Sequence, residues 1–171
     1  MTPEEFNSRL LPVKNKIYRF SLSLLMNKQE AEDATQEVYL KMWDMRNQLG
    51  KYKNMEALMM TITKNHCLDR LRVKKNKAAS LDVNVHDSHS ENPQQIAEQA
   101  DMLNRVLKVM QSLPEQQKTI VHLRDIEGYA FDELQEITGF DLNYIRVNLS
   151  RGRKKIRETI HNLERHETSS T

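Results

Sequence analysis

The twelve residues from Arg146 to Arg157 contain six lysines and arginines and no acid. In a helix, the apolar residues of this segment form one inward stripe: Leu142, Ile145, Leu149, Gly152, Ile156 and Ile160. Arginine and asparagine near the start of such a helix can reach base edges in a DNA major groove, while serine and lysine suit phosphates. The pattern therefore indicates DNA binding, and its alternative is a solvated amphipathic helix.

The face opposite the stripe carries the candidate DNA contacts. They are Asn143, Tyr144, Val147, Ser150, Arg151 and Lys154, with Arg146 and Arg153 on one flank and Asn148 and Lys155 on the other. A short helix from about Phe131 to Thr138, a turn at Gly139 and an N-cap at Asp141 precede it. Because this order is typical of a helix-turn-helix, and the other surface helices mix charges, DNA binding is favoured over the solvated helix.

A second basic run lies earlier in the chain, with Asp69 as the one acid within it: Lys64, Arg70, Arg72, Lys74, Lys75 and Lys77. Just before it, Lys51 and Lys53 flank Tyr52, an aromatic residue that could stack on an unpaired base while the lysines hold phosphate. The alternative for the basic run is that it forms the solvated end of a helix. The alternative for Lys51, Tyr52 and Lys53 is that they are ordinary surface residues.

An acidic patch differs from both runs in sign: Glu30, Glu32, Asp33 and Glu37. Acids at a helix start are favoured by the helix dipole, which accounts for the first three. Glu37, together with Tyr39 and Trp43, better suits a protein interface.

The composition favours helices. Four Gly and four Pro in 171 residues leave few turns, so we predict an all-α protein of two small helical domains. Residues 80–100 carry four acids and no basic residue, which predicts a flexible acidic linker. The predicted organisation is a helical domain over 1–79, the linker over 80–100, a helix-turn-helix domain over 101–165 and a disordered tail over 166–171.

Apolar periodicity predicts three helices in the first domain. One has its stripe at Leu10 to Leu24, and the next follows Asn27 as its N-cap and ends near Gly50. The third, from about Asn54 to Lys75, has apolar residues on more than one side, so it is either buried on two faces or bent. In the second domain, Ser112 is a candidate cap for a helix that restarts at Pro114.

Several function classes have little support in the sequence. No apolar run is long enough to span a membrane and no signal pattern is evident, so we expect a cytoplasmic protein. One cysteine, Cys67, cannot form an internal disulfide and is expected to be buried. The histidines show no zinc spacing and there is no glycine-rich phosphate loop, so we expect neither an enzyme nor a cofactor or metal.

Nearly the whole chain resembles an RNA polymerase sigma factor of the extracytoplasmic-function group of the sigma-70 family. "AEDATQEVYLKMW" resembles the family's acidic helix that docks on the polymerase clamp, and "ITKNHCLDRLRVKK" resembles the segment that engages and opens the minus-ten element. "LPEQQKTIVHLRDIEGYAFDELQEITG" with "NYIRVNLSRGRKKIRE" resembles the helix-turn-helix that reads the minus-thirty-five element.

The resemblance implies a role for each matching position. Polymerase contacts would be made by Asp33, Gln36 and Glu37. The minus-ten element would be met by Lys51, Tyr52, Lys53 and Asn54, which capture an everted base, and by Asn65, Asp69, Arg70 and Arg72. At the minus-thirty-five element, base-facing positions are Arg146, Val147, Ser150 and Arg151, with phosphate contacts from Arg124, Asn148 and Arg153; Asn143 and Lys154 share that face.

The implied partners are core RNA polymerase, through its largest-subunit clamp and its flap, promoter DNA and an anti-sigma factor. The rival hypothesis is a stand-alone helix-turn-helix regulator with an N-terminal sensing or dimerisation domain. It explains residues 138–158 but leaves the segment from Lys51 to Lys77 without a role.

Overall fold

The computed structural model describes residues 1–80 and 98–169, apart from the side chains of 79, 80, 98–101 and 103. The regular structure within these ranges is helical, which confirms the predicted all-α class. The helices are α1 Pro3–Leu10, α2 Lys14–Leu25, α3 Lys28–Asp44, α4 Met55–Ser80, α5 Glu98–Met110, α6 Glu115–Val121, α7 Phe131–Thr138 and α8 Leu142–Ser169. We refer to residues 1–80 as the N-terminal unit and to 98–169 as the C-terminal unit.

Side-chain caps fix where the helices of the N-terminal unit begin. Asn27 Oδ1 accepts from the Glu30 N–H at 2.9 Å, which confirms it as the N-cap of α3. Asn54 Oδ1 accepts from the Ala57 N–H at 3.0 Å in the same way at the start of α4. Each cap satisfies a backbone donor that has no partner within its helix.

Helix α4 is buried on two faces, one of the two alternatives that its sequence left open. It packs against α2, α3 and α7, and the successive residues Ala57, Met59, Met60 and Ile62 are buried. Met59, Met60 and Cys67 are fully buried along it. Burial raises the pKa of the Cys67 thiol to about 11, so the side chain remains a neutral apolar group.

The C-terminal unit turns sharply after α6. The helix continues as a wider π-type turn over His122–Ile126, in which the Glu127 N–H donates to the His122 carbonyl at 3.0 Å. Gly128 follows with a φ of 78°, in the left-handed region that favours glycine, and the Tyr129 N–H closes the turn on the Leu123 carbonyl at 3.0 Å. This turn orients the residues that precede α7.

The helix-turn-helix predicted from the sequence is confirmed. Gly139 ends α7 with a φ of 75°, and Asp141 Oδ1 accepts from the Tyr144 N–H at 2.7 Å to cap α8. Helix α8 lies close to α6 at Gly152, where a Cβ atom would come within 2.8 Å of Val121 Cγ2. Glycine therefore permits the close approach that seats the recognition helix.

Three details of the sequence interpretation are corrected. Ser112 does not cap α6, because its hydroxyl donates to the Val109 carbonyl of α5 at 3.0 Å. Ile160 does not belong to the inward stripe, since its side chain is 42% exposed. Helix α8 continues to Ser169, so residues 166–169 are helical and not a disordered tail. The Thr168 hydroxyl donates to the Glu164 carbonyl at 3.1 Å in this last stretch.

The predicted linker is shorter at both ends, because Ser80 belongs to α4 and Glu98 begins α5. The linker prediction for residues 81–97 lies outside the described residues. No helix within the described ranges has the length and apolar character needed to cross a membrane.

The two units pack against each other through one continuous apolar core. Helix α2 contacts α6 and the π-type turn, and α4 contacts α7. Fully buried Phe20 of the N-terminal unit and Ile120, Leu123 and Leu134 of the C-terminal unit belong to this core. In this conformation the two units therefore share buried surface.

Candidate nucleic-acid interface

The recognition helix α8 presents its predicted DNA face to solvent. Asn143, Arg146, Val147, Ser150, Arg151 and Lys154 are exposed, while Ile145, Leu149 and Gly152 are buried on the opposite side. Asn148 is half-buried, and its amide donates to the Tyr144 carbonyl at 2.9 Å. The base-facing positions are thus held on a rigid helix with their side chains accessible.

Two of the predicted phosphate contacts already have partners. Arg153 forms a two-bond ion pair with Asp125, with Nε and NH2 at 2.9 and 2.6 Å from its two carboxylate oxygens. Arg124 donates to the Tyr129 carbonyl at 2.8 Å and lies over the Phe131 ring. A phosphate would have to compete with Asp125 for Arg153.

The predicted minus-ten surface lies on the N-terminal unit. Lys51, Tyr52 and Lys53 are exposed on the loop before α4, with Tyr52 42% exposed. Asn65, Asp69 and Arg72 are exposed farther along α4, and Arg70 is half-buried. Asn54 is partly buried because it caps α4, so its role in the fold is structural.

Some charges of the second basic run are engaged within the protein. Asp69 pairs with Arg72 one helical turn away at 3.2 Å, Lys74 pairs with Glu30 of α3, and Lys64 Nζ donates to the Thr138 carbonyl of the C-terminal unit at 3.3 Å. The Asp69–Arg72 pair is well exposed and contributes little to stability. We call the conformation in which the two units pack together the closed form. In the closed form, part of the positive charge of this run is already engaged by groups of the protein itself.

The predicted polymerase-binding face borders an apolar groove between α1 and α3. Gln36 and Glu37 are exposed on α3, and Asp33 is partly buried, accepting from Gln29 at 3.2 Å. The groove is lined by Pro3, Phe6, Asn7, Gln36, Tyr39, Leu40 and Trp43. Trp43 packs edge-on against Phe6 with ring centroids 5.0 Å apart, whereas Leu40 is 57% exposed. A contiguous apolar groove rimmed by polar residues is typical of a protein-binding surface.

A buried polar cluster joins the two units, formed by Arg19, Ser23, His122 and Glu127. Arg19 Nε and NH2 donate to the two carboxylate oxygens of Glu127 at 2.7 and 2.9 Å. The Glu127 side chain is 1% exposed. Burial alone would raise the pKa of Glu127, but the hydrogen bonds and the charge of Arg19, with His122 close by, lower it to about 2. We call these four residues the contact cluster.

His122 sits at the centre of the contact cluster with 1% exposure. Its Nδ1 lies 2.6 Å from Ser23 Oγ, its Nε2 lies 3.4 Å from Glu127 Oε1, and its ring stacks on Phe20 at a centroid distance of 5.3 Å. Burial lowers the pKa of His122, so the ring is neutral at neutral pH. A proton on Nε2 then lets Nδ1 accept from the Ser23 hydroxyl.

A second polar bridge crosses the same boundary. Lys16 Nζ and the Tyr129 hydroxyl both donate to Glu56 Oε1, at 2.6 and 2.7 Å. Tyr129 is 4% exposed, and its burial together with the Glu56 carboxylate raises its pKa. The two bridges give the Glu127 and Glu56 carboxylates hydrogen-bond partners at this boundary, whereas His122 Nε2 is buried without one among the described residues.

Sequence reasoning missed the contact cluster, Leu40 and Phe131. Only Leu40 carries a signal in the sequence, since it lies one helical turn after Gln36 on the same face of α3. Among the described residues, no three His, Cys, Asp or Glu side chains are grouped so as to hold a metal ion.

Comparisons with known proteins agree with this arrangement. Residues 11–77 match the family Sigma-70 region 2, and residues 103–156 match Sigma-70, region 4. The chain is 29% identical over 149 residues to the ECF RNA polymerase sigma factor SigE of Mycolicibacterium smegmatis, covering 84% of this chain and 57% of that relative. It is 23% identical to the ECF RNA polymerase sigma factor SigW of Bacillus subtilis, covering 88% and 86% of the two chains.

Solved structures share the fold across both units. The sigma factor RpoE of Bartonella quintana, in complex with the anti-sigma factor NepR, has a TM-score of 0.75 at 21% identity, covering 92% of this chain and 98% of that one. CnrH in complex with the cytosolic domain of CnrY has a TM-score of 0.70 at 14% identity, with 94% and 90% covered.

The helix-turn-helix and the two matched regions, which together span more than half of the chain, define a DNA-binding transcription initiation factor of the sigma-70 class. Within that class, the chain belongs to the extracytoplasmic-function sigma factors.

Proposed function

We propose that the chain binds core RNA polymerase and directs it to promoters that carry two DNA elements, without catalysing a reaction itself. The observation that supports this best is the presence of one exposed candidate DNA-binding surface in each unit, in the order of the family's two regions. A stand-alone regulator would need only α8. The polymerase and the chromosome place this activity in the cytoplasm.

Each surface has a separate task in this proposal. Arg146, Val147, Ser150 and Arg151 read base edges of the minus-thirty-five element in the major groove. Tyr52 stacks on a base that leaves the minus-ten duplex, while Lys51 and Lys53 hold the neighbouring phosphates. Extruding a base costs a few kcal/mol, which favourable contacts in the polymerase complex must offset.

Polymerase docking uses the groove of the N-terminal unit. Asp33, Gln36 and Glu37 bind the clamp of the largest subunit, and the exposed side chain of Leu40 adds apolar contact beside them. The C-terminal unit contacts the flap. Because relatives of the same fold were solved with an anti-sigma factor or a cytosolic domain bound, we include an anti-sigma factor among the partners.

Promoter binding requires the two units to separate. The two elements lie about 25 base pairs apart, or about 85 Å at 3.4 Å per pair. The Thr61 hydroxyl of α4 lies 3.5 Å from the Ile137 carbonyl of α7, so α4 and α7 are in direct contact in the closed form. Seventeen residues, the length of the segment from 81 to 97, can span at most about 60 Å when extended.

Reconstitution with core polymerase tests this function. The chain and core polymerase are mixed with sheared genomic DNA of the encoding bacterium. The complex should retain specific fragments, and thymines at the start site of these fragments should react with permanganate. The chain alone should retain none. Tight, specific duplex binding by the free chain, with no polymerase in a pull-down, would instead support the stand-alone regulator.

Arg151 and Lys154 test the division between base and phosphate contacts. Arg151→Ala is expected to cost about 1 to 3 kcal/mol on the cognate minus-thirty-five element and to relax specificity there. Lys154→Ala should weaken all sequences alike and reduce the salt dependence of binding. Gel shifts of the polymerase complex on cognate and altered promoters measure both. Equal, small losses on both DNAs for the two variants would make Arg151 only a phosphate contact.

Glu37→Lys tests the polymerase-binding face. The exposed position should tolerate lysine without unfolding, but the reversed charge should reduce the association rate with core polymerase about tenfold or more at low salt. Glu164→Lys is the matched control, because it makes the same charge change on the exposed end of α8. Surface plasmon resonance on immobilised core polymerase measures both rates. Equal rates for the two variants would place docking elsewhere.

A further inference from the structure

Phe131, the first residue of α7, forms an aromatic platform beside the recognition helix. The guanidinium carbon of Arg124 lies 4.2 Å from the centroid of its ring, and that of Arg146 lies 5.6 Å from the same centroid. Phe131 is partly buried and packs against the apolar core. One core-packed side chain thus contacts two arginines, one of them in the predicted base-facing set.

The surrounding cavity is strongly basic. It is lined by Phe131, Arg146, Leu149, Ser150, Arg153 and Arg157. Two nearby arginines have fixed polar partners: Arg153 pairs with Asp125, and Arg124 donates to the Tyr129 carbonyl. The described contact of Arg146 within this cavity is instead with an uncharged ring.

That difference matters for base recognition. An arginine held by a carboxylate must break an ion pair before it can bind DNA, at the cost of leaving that carboxylate unpaired. An arginine stacked on a ring keeps its N–H groups free at the edge of the guanidinium plane, which is the geometry needed for two bonds to a guanine. The ring also restricts the arginine's rotamers before binding, so less entropy is lost in the complex.

We propose that Phe131 is a positioning residue that orients Arg146 for base recognition and thereby sets specificity at one position of the minus-thirty-five element. This inference depends on the proposed function. Phe131 need not touch DNA, because it acts through the Arg146 guanidinium.

The test uses the full chain with core polymerase and a promoter recovered by the complex, with its minus-thirty-five element randomised as a DNA pool. Phe131→Leu should lower the preference at a single base pair about fivefold, the same base pair that Arg146→Ala affects. Phe131→Tyr retains the ring and should retain the preference. In an Arg146→Ala background, Phe131→Leu should change discrimination no further.

Three results would overturn the inference: unchanged preferences in Phe131→Leu, a uniform loss over all sequences, or an additive loss in the Arg146→Ala background. The uniform loss would indicate a purely structural role for the ring. A lowered thermal unfolding temperature of Phe131→Leu would indicate the same role. Failure of the proposed function is distinguishable, because the unaltered complex would then select no sequence from the pool.

Discussion

Replacing Arg19 with Ala is expected to separate the two units of the free chain. Arg19 is the N-terminal unit's cationic partner in the contact cluster, and the carboxylate of Glu127 opposite it is 1% exposed. Without Arg19 that carboxylate would lose both hydrogen bonds from the guanidinium while still buried. Removing one partner of a fully buried pair costs about 3 to 5 kcal/mol, but Arg19 itself is 41% exposed, so we expect about 2 kcal/mol.

This cost is expected to affect the contact between the units more than the stability of either one. Arg19 and Glu127 lie 108 positions apart, on different units. Once the units separate, water can solvate both the Arg19 guanidinium and the Glu127 carboxylate. A loss of about 2 kcal/mol shifts the equilibrium toward the open form about thirtyfold. Because the open form binds the promoter in our proposal, the apparent affinity of the polymerase complex should rise in proportion to the open fraction.

Small-angle scattering of the free chain measures this opening as an increase in the radius of gyration. Arg9→Ala is the matched control, since it removes the same side chain from an exposed position of α1 in the same unit. Thermal unfolding should show that both variants remain folded. An unchanged radius of gyration in Arg19→Ala, with normal promoter binding, would mean that the contact cluster does not hold the units together.

The contact between the units could not be predicted from the sequence, although the helices within each unit could. Helix boundaries follow from local signals: Asn27 and Asp141 cap the helices that they precede, and Gly139 ends one. Ser23 and His122 are 99 positions apart and carry no periodic or spacing signal that pairs them. In the sequence, His122 is an ordinary polar residue at the end of an apolar helix.

The candidate DNA face was predictable because the apolar stripe of α8 determines which side is free. Arg146 and Arg151 are exposed as expected. The engagement of Arg153 with Asp125 was not predictable, because it depends on the π-type turn that places Asp125 beside α8. Residue type and helical position indicate which side chains can reach DNA, but the pairing of a charge depends on the tertiary fold.

The contact between the units is also expected to weaken as the pH falls from about 7.5 to about 5.5, through the protonation of His122. The groups that face its ring are Arg19 and Ser23 from α2 and the Glu127 carboxylate, with Phe20 on one ring face. Burial lowers the pKa of His122 and outweighs the hydrogen bond and the charge of Glu127, which raise it, and the Arg19 charge lowers it further. The closed form therefore disfavours the protonated ring.

The sign of this effect follows from proton binding. Once the units separate, the His122 ring is solvated and its pKa returns toward 6.5. Between the lowered pKa and 6.5 the open form binds more protons, so acid favours opening by up to about tenfold for each pH unit below 6.5. Glu127 does not contribute in this range, because its pKa of about 2 in the closed form confines its own effect to pH values below about 4.5.

His122→Gln isolates the contribution of this ring, since the amide is neutral at every pH and the other histidines are the same in both proteins. Scattering of both proteins across the pH range should show expansion of the unaltered chain that exceeds expansion of the variant. Parallel curves would mean that His122 keeps the same pKa in both forms. In that case the ring would be held within the C-terminal unit whether or not α2 covers it, and the polar contact between the units would depend on Arg19 and Glu127 alone.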